Sequence, residues 1–78
     1  MTPPFPRHYE LAFVTDQWEW EAKLDAPELD QAKDAARTAL EALVRDEQPK
    51  LACVTLLEDG VKIGVWDWML TRAYWTPL

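Results

Sequence analysis

The sequence predicts an α+β protein of order ββαββ: a four-stranded antiparallel sheet with one helix packed on one face. Three observations carry this reading. Apolar and charged residues alternate with period two from Trp18 to Leu24. A single apolar stripe at helical spacing runs from Leu29 to Leu43. An Asp59-Gly60 pair separates two β-rich runs, the strongest short-range hairpin signal because both central residues must tolerate positive φ.

Three of the six prolines fall in residues 1–8, so that segment reads as an extended Pro-rich arm, with one α+β domain over residues 9–78. Tyr9, Leu11 and Phe13 alternate with Glu10, Ala12 and Val14, a first strand with two partly apolar faces. Thr15-Asp16-Gln17 is a polar connection. In the second strand Trp18, Trp20, Ala22 and Leu24 share one face, expected to meet the helix, and Glu19, Glu21 and Lys23 share the other. The helix is placed over residues 26–46, with Asp25 as N-cap, Glu28 in capping-box spacing and Pro27 in the first turn. Leu29, Ala32, Ala36, Leu40 and Leu43 form its buried stripe, and Gln48-Pro49 ends it.

Leu51–Glu58 and Val61–Trp68 form the second hairpin. A plain two-residue turn pairs Leu56 with Ile63, Val54 with Val65 and Ala52 with Asp67 on one face. On the other it pairs Leu57 with Lys62, Thr55 with Gly64, Cys53 with Trp66 and Leu51 with Trp68. If the third strand lies beside the first, all neighbours are antiparallel and the order is 2-1-3-4. The segment Met69–Leu78 receives no assignment.

Composition narrows the function. The chain has 78 residues, and a domain of that size buries only about 60–65% of the surface its unfolded chain exposes, so a deep catalytic pocket is hard to build. Serine is absent, His8 is the only histidine, and Cys53 is the only cysteine. No metal set, catalytic group or phosphate-binding glycine motif is visible, so the expectation is a non-enzymatic protein without cofactors. Cys53 in a strand reads as a buried inert thiol. One cysteine, no apolar leader and no long apolar run point to a cytoplasmic protein that neither crosses nor needs a membrane.

Net charge is -6, from 14 acids and 8 bases, which argues against direct contact with nucleic acid. Residues 10–34 hold Glu10, Asp16, Glu19, Glu21, Asp25, Glu28, Asp30 and Asp34 against Lys23 and Lys33, so this stretch accounts for the whole net charge. Same-face residues on a strand lie about 6.6 Å apart, similar to neighbouring phosphates of a nucleic-acid strand. Glu19, Glu21, Asp25, Glu28 and Asp30 are therefore the candidate contacts of an acidic patch for a basic protein surface. The same residues also suit structural roles: Asp25, Glu28 and Asp30 complement a helix dipole, and Glu19 and Glu21 keep an edge strand from aggregating. A second candidate surface is aromatic. With five tryptophans in the chain, Trp66 and Trp68 share the sheet face away from the helix. There they serve a partner, lie under the folded-back tail, or bury in a homodimer.

In length, charge, the acidic stretch Glu10–Asp34 and the ββαββ order, the chain resembles the small acidic inhibitors of phages and mobile elements, anti-CRISPR proteins among them, some of which mimic DNA. No signature motif carries the resemblance. It implies a non-enzymatic inhibitor that docks into the basic nucleic-acid-binding cleft of a bacterial effector complex. The segment Tyr9–Ala42 also resembles HicB-like antitoxins, but lacks the glycine before the helix and a DNA-binding tail. That likeness implies a dimeric regulatory module using the Trp66 and Trp68 face.

Overall fold

The computed structural model describes residues 7–78. Strand β1 (Arg7–Thr15) pairs antiparallel with β2 (Glu19–Ala26), helix α1 (Leu29–Glu47) crosses back, and β3 (Ala52–Glu58), β4 (Val61–Met69) and β5 (Arg72–Pro77) follow. One five-stranded antiparallel sheet results, in the order β2-β1-β3-β4-β5. The predicted α+β class, the helix on one face and the 2-1-3-4 order of the first four strands all stand. The fifth strand comes from the unassigned tail. Its hairpin loop is Leu70-Thr71, with Leu70 at φ 59°, and the reversal lays Trp75 beside Trp66 on the β4 register.

The N-terminal boundary also shifts. Arg7 and His8 belong to β1, opposite Ala26 and Asp25. The rest of the expected arm, residues 1–6, lies outside the described residues.

At the β1–β2 turn, Thr15 Oγ1 accepts from the backbone N–H groups of Gln17 and Trp18 and donates to the Trp18 carbonyl. Asp16 Oδ1 accepts from the N–H groups of Lys50 and Leu51, tying this turn to the α1–β3 connection. Asp16 is thus spent on the fold.

Helix α1 starts later than expected. Asp25 is not its N-cap. It sits on β2 with its carboxylate 2.9 Å from His8 Nδ1, and Ala26 is still paired in the sheet. Pro27 supplies the reason, since a residue before proline is pushed out of the helical region. The N-cap is Glu28, extended at φ −153° and without a side-chain cap bond. At the other end Gln48 takes the left-handed conformation and donates its N–H to the Val44 carbonyl. Ala32, Ala36, Leu40 and Leu43 are buried as the stripe requires, against Tyr9, Leu11, Phe13, Val54 and Leu56 of the sheet.

The Asp59-Gly60 turn forms as expected, with φ 51° and 82°. The register beyond it does not. Glu58 pairs with Val61 and Leu57 with Lys62, but Leu56 then pairs with Gly64, leaving Ile63 as the extra residue of a β-bulge. A one-residue slip moves every following side chain to the opposite face. Val54 therefore lies opposite Trp66, Thr55 opposite Val65 and Cys53 opposite Asp67, in place of the expected pairs.

The correction reverses the aromatic surface. Trp66 is 9% exposed, faces the helix, and donates from Nε1 to the Lys33 carbonyl at 2.9 Å. Trp68 and Trp75 are partly buried in the same core. Trp66 and Trp75 rings meet at 5.2 Å, with Lys33 Nζ 4.6 Å from the Trp75 centroid. Trp18 and Trp20, expected in the core, lie on the helix side but at its margin. Trp18 packs partly against the core and Trp20 is 45% exposed.

Gly64 is where β4 makes room for this cluster: a Cβ there would run into the Trp75 ring. Gly64→Ala is expected to lower stability by about 1–3 kcal/mol through overpacking. The loss should shrink when Trp75→Ala is present, because the clash and its partner leave together. Denaturant unfolding of the two single variants and the double variant measures this.

Candidate protein-binding surface

Helix α1 covers one side of the sheet and leaves the other uncovered among the described residues. The register decides what that uncovered face carries. One cross-strand row runs Glu19, Val14, Cys53, Asp67, Tyr74. The next runs Glu21, Ala12, Thr55, Val65, Thr76, and a third holds Lys23, Glu10, Leu57 and Lys62. Asp25 and His8 close this face at the far end of β2. The centre is small and half-apolar. The β2 side is acidic, and the β5 side carries Arg72, whose Nε donates to Tyr74 Oη at 2.8 Å.

The predicted acidic residues separate into two groups. Glu19 and Glu21 are exposed neighbours on the open face of β2, an edge strand. They flank a shallow hollow of about 280 Å³ whose floor includes Ala12 and Val14. Lys23 follows on the same face, opposite Glu10, and breaks the line. Asp25, beyond it, is engaged with His8. Glu28 and Asp30 lie past the end of β2, at the N-terminus of α1, where their charge complements the helix dipole. Glu19 to Ala26 spans seven residue steps, roughly 23 Å at strand rise, so the two groups stand at opposite ends of the edge. Among the described residues, Glu19, Glu21, Glu28 and Asp30 take part in no ion pair, whereas Asp34 is bound by Arg37 at 2.8 Å.

Trp66 and Trp68, the predicted aromatic contacts, are not on this face. Among the described residues, the exposed large aromatic rings are Trp20 and Tyr74. Sequence reasoning missed Trp20 because its alternation with Glu19 and Glu21 correctly assigns it to the helix side. Only the width of the helix decides that β2 lies at the edge of its cover.

Cys53 lies on the open face, half-buried between Val14 and Asp67. Burial, and then the Asp67 charge, push its thiol above the ordinary cysteine range. A thiol held protonated is a poor nucleophile. Cys53 is expected to react with a disulfide reagent more slowly than the same cysteine in the unfolded chain. Asp67→Asn should speed the reaction at a given pH, because removing the negative charge favours the thiolate. Thiol-labelling rates as a function of pH check both statements.

Among the described residues, no group of three or more His, Cys, Asp or Glu side chains is placed to hold a metal ion. No helix among them is long and apolar enough to cross a membrane. No family model, curated protein or solved structure matches the chain.

Proposed function

We propose that this protein is a non-enzymatic inhibitor or regulator that acts by setting the acidic edge of its sheet against a basic surface of another protein. The surface it suits is one that otherwise holds a nucleic-acid backbone, the mode of action of anti-CRISPR-like DNA mimics in bacterial effector complexes. The observation that carries the reading is the pair Glu19 and Glu21. Both are exposed on an uncovered face, both lie outside every ion pair among the described residues, and they flank a hollow of about 280 Å³. Glu10, one strand inward, lies opposite Lys23 and is not counted in the pair.

The energetics favour such a contact over a structural role for these charges. Two opposite charges 4 Å apart attract by about 1 kcal/mol in bulk water and about 4 kcal/mol at the effective dielectric of a partly desolvated surface. The fold gains nothing comparable from Glu19 and Glu21, which point into solvent. Complementary charge also accelerates encounter and rejects acidic partners. The alternative, a dimeric antitoxin-like module built on Trp66 and Trp68, is left without its apolar face, since the bulge in β4 turns both rings toward the helix.

The test uses the immobilised protein and a bacterial lysate at low and at roughly 0.5 M salt, where the Debye length falls well below 10 Å. Captured proteins are expected to be nucleic-acid-binding, to elute with salt and to be displaced by added duplex DNA. The double reversal Glu19→Lys, Glu21→Lys should abolish capture while leaving the fold intact, because both side chains are exposed on an edge strand. Capture indifferent to salt, to DNA and to the reversal defeats the proposal.

A further inference from the structure

The helix side of β2 carries a second concave site close to the first. The Trp20 ring stacks on Trp18 with centroids 3.9 Å apart and leans on Phe13 at 4.9 Å. Beyond Trp20 lies a groove of about 380 Å³. Phe13, Ala39 and Leu43 contribute apolar walls, and the exposed carboxylates Asp46 and Glu47 complete it. Residues 39, 43, 46 and 47 fall on one side of α1 because they are spaced at helical intervals.

This combination selects its occupant. An apolar ligand would strip water from two carboxylates without replacing it, which is costly. An anion would meet two negative charges and the negative end of the helix dipole. A long cationic side chain uses every feature at once. Its methylene stem lies along Phe13, Ala39 and Leu43, its head packs over the indole of Trp20, and its N–H groups reach Asp46 and Glu47. Arginine does this better than lysine, since a planar guanidinium both stacks on an aromatic face and forks a carboxylate. Within the chain, Arg45 Nε lies 3.2 Å from Asp46, but both side chains remain largely exposed, so that pair is readily exchanged. Glu47 takes part in no ion pair among the described residues.

We infer that the groove between Trp20 and the C-terminal turns of α1 receives an arginine side chain of the basic partner protein. The inference rests on the proposed docking of the β2 edge. It adds that the partner clasps this edge from both sides, with basic groups against Glu19 and Glu21 on the open face and one arginine in the groove behind.

The probe is the blocked tripeptide acetyl-Gly-Arg-Gly-amide, titrated into the full chain and followed by NMR, with the norleucine analogue as the uncharged control. The arginine peptide should shift the Trp20 indole, Phe13 and Leu43 signals saturably. Its dissociation constant should be on the order of 1 mM, weakened roughly tenfold by Asp46→Asn with Glu47→Gln, and also by Trp20→Leu. Glu19→Gln with Glu21→Gln should change it less than about twofold, since those side chains lie on the other face. Unchanged amide dispersion shows that each variant is folded. Equal shifts from the norleucine peptide, or shifts that bypass Trp20, overturn the inference. The two proposals fail separately. Lysate capture that depends on Glu19 and Glu21 but survives the Asp46 and Glu47 substitutions removes the groove alone. Groove binding of the peptide without any salt-sensitive capture removes the docking of the open face.

Discussion

The extra residue at Ile63 decides which side of the sheet is wet. Without it, Trp66 and Trp68 would stand on the open face and Val65 would meet the helix. With it, three indoles of the C-terminal hairpin pass beneath α1, and the core gains bulk where the helix stripe is weakest, at Ala32 and Ala36. Two small helix residues can be buried completely only if something large rises from the sheet to meet them. Trp66 does so, and its Nε1–H finds the Lys33 carbonyl. The indole thereby satisfies its one donor while burying its rings, which buried tryptophans generally require. Trp75 then needs space beside it, which Gly64 provides by having no side chain.

The same constraint sets the character of the surface. Once the large aromatics face inward, the open face is left with Ala12, Val14, Cys53, Thr55 and Val65 at its centre, a shallow and nearly neutral floor. What distinguishes one side of it is the β2 edge, where Glu19 and Glu21 stand. Charge on this protein divides by its relation to the fold. Asp16, Asp34, Glu28 and Asp30 cap, bridge or complement local backbone, and each has a structural use. Asp46 and Glu47 oppose the helix dipole instead, an arrangement that costs about 0.3–1 kcal/mol per charge. These two carboxylates stand where they weaken the helix end and beside an exposed indole, the combination on which the proposed arginine groove rests.

Much of this was legible from residue patterns. The apolar stripe of α1, the Asp59-Gly60 turn and the alternation of β2 each rest on a local rule with one good solution, and together they fix the antiparallel order. The bulge was not legible because β3 is apolar on both faces: Val54 and Leu56 on one, Cys53 and Leu57 on the other. A period-two pattern with two apolar faces tolerates either register, and only long-range packing against Ala32 and Ala36 chooses. The helix start was misread for a different reason. Asp25 and Glu28 have capping-box spacing, but Pro27 holds Ala26 extended, and the sheet claims Asp25 first. The acidic contacts were partly legible. Glu19 and Glu21 read directly from the alternation, while Asp46 and Glu47 stay hidden in sequence beside the charges of Arg45 and Lys50, and only the return of the helix over the sheet brings them to Trp20.

An open sheet has two edges, and the two are closed by different means. On β5, Leu78 donates its N–H to the Ile63 carbonyl. The alternation of antiparallel pairing then turns the nitrogen of Pro77 toward solvent, where it has no hydrogen to offer an added strand. On β2 there is no proline, and the strand is longer, so backbone pairing is discouraged by charge alone. A neutral or acidic strand approaching β2 meets Glu19 and Glu21 on one side and Asp46 and Glu47 on the other. A basic surface meets the same four groups as attraction. In the docking proposed above, the charge that keeps copies of this protein from adding to one another at β2 also selects the partner. That docking takes positive charge through side chains rather than through the exposed backbone.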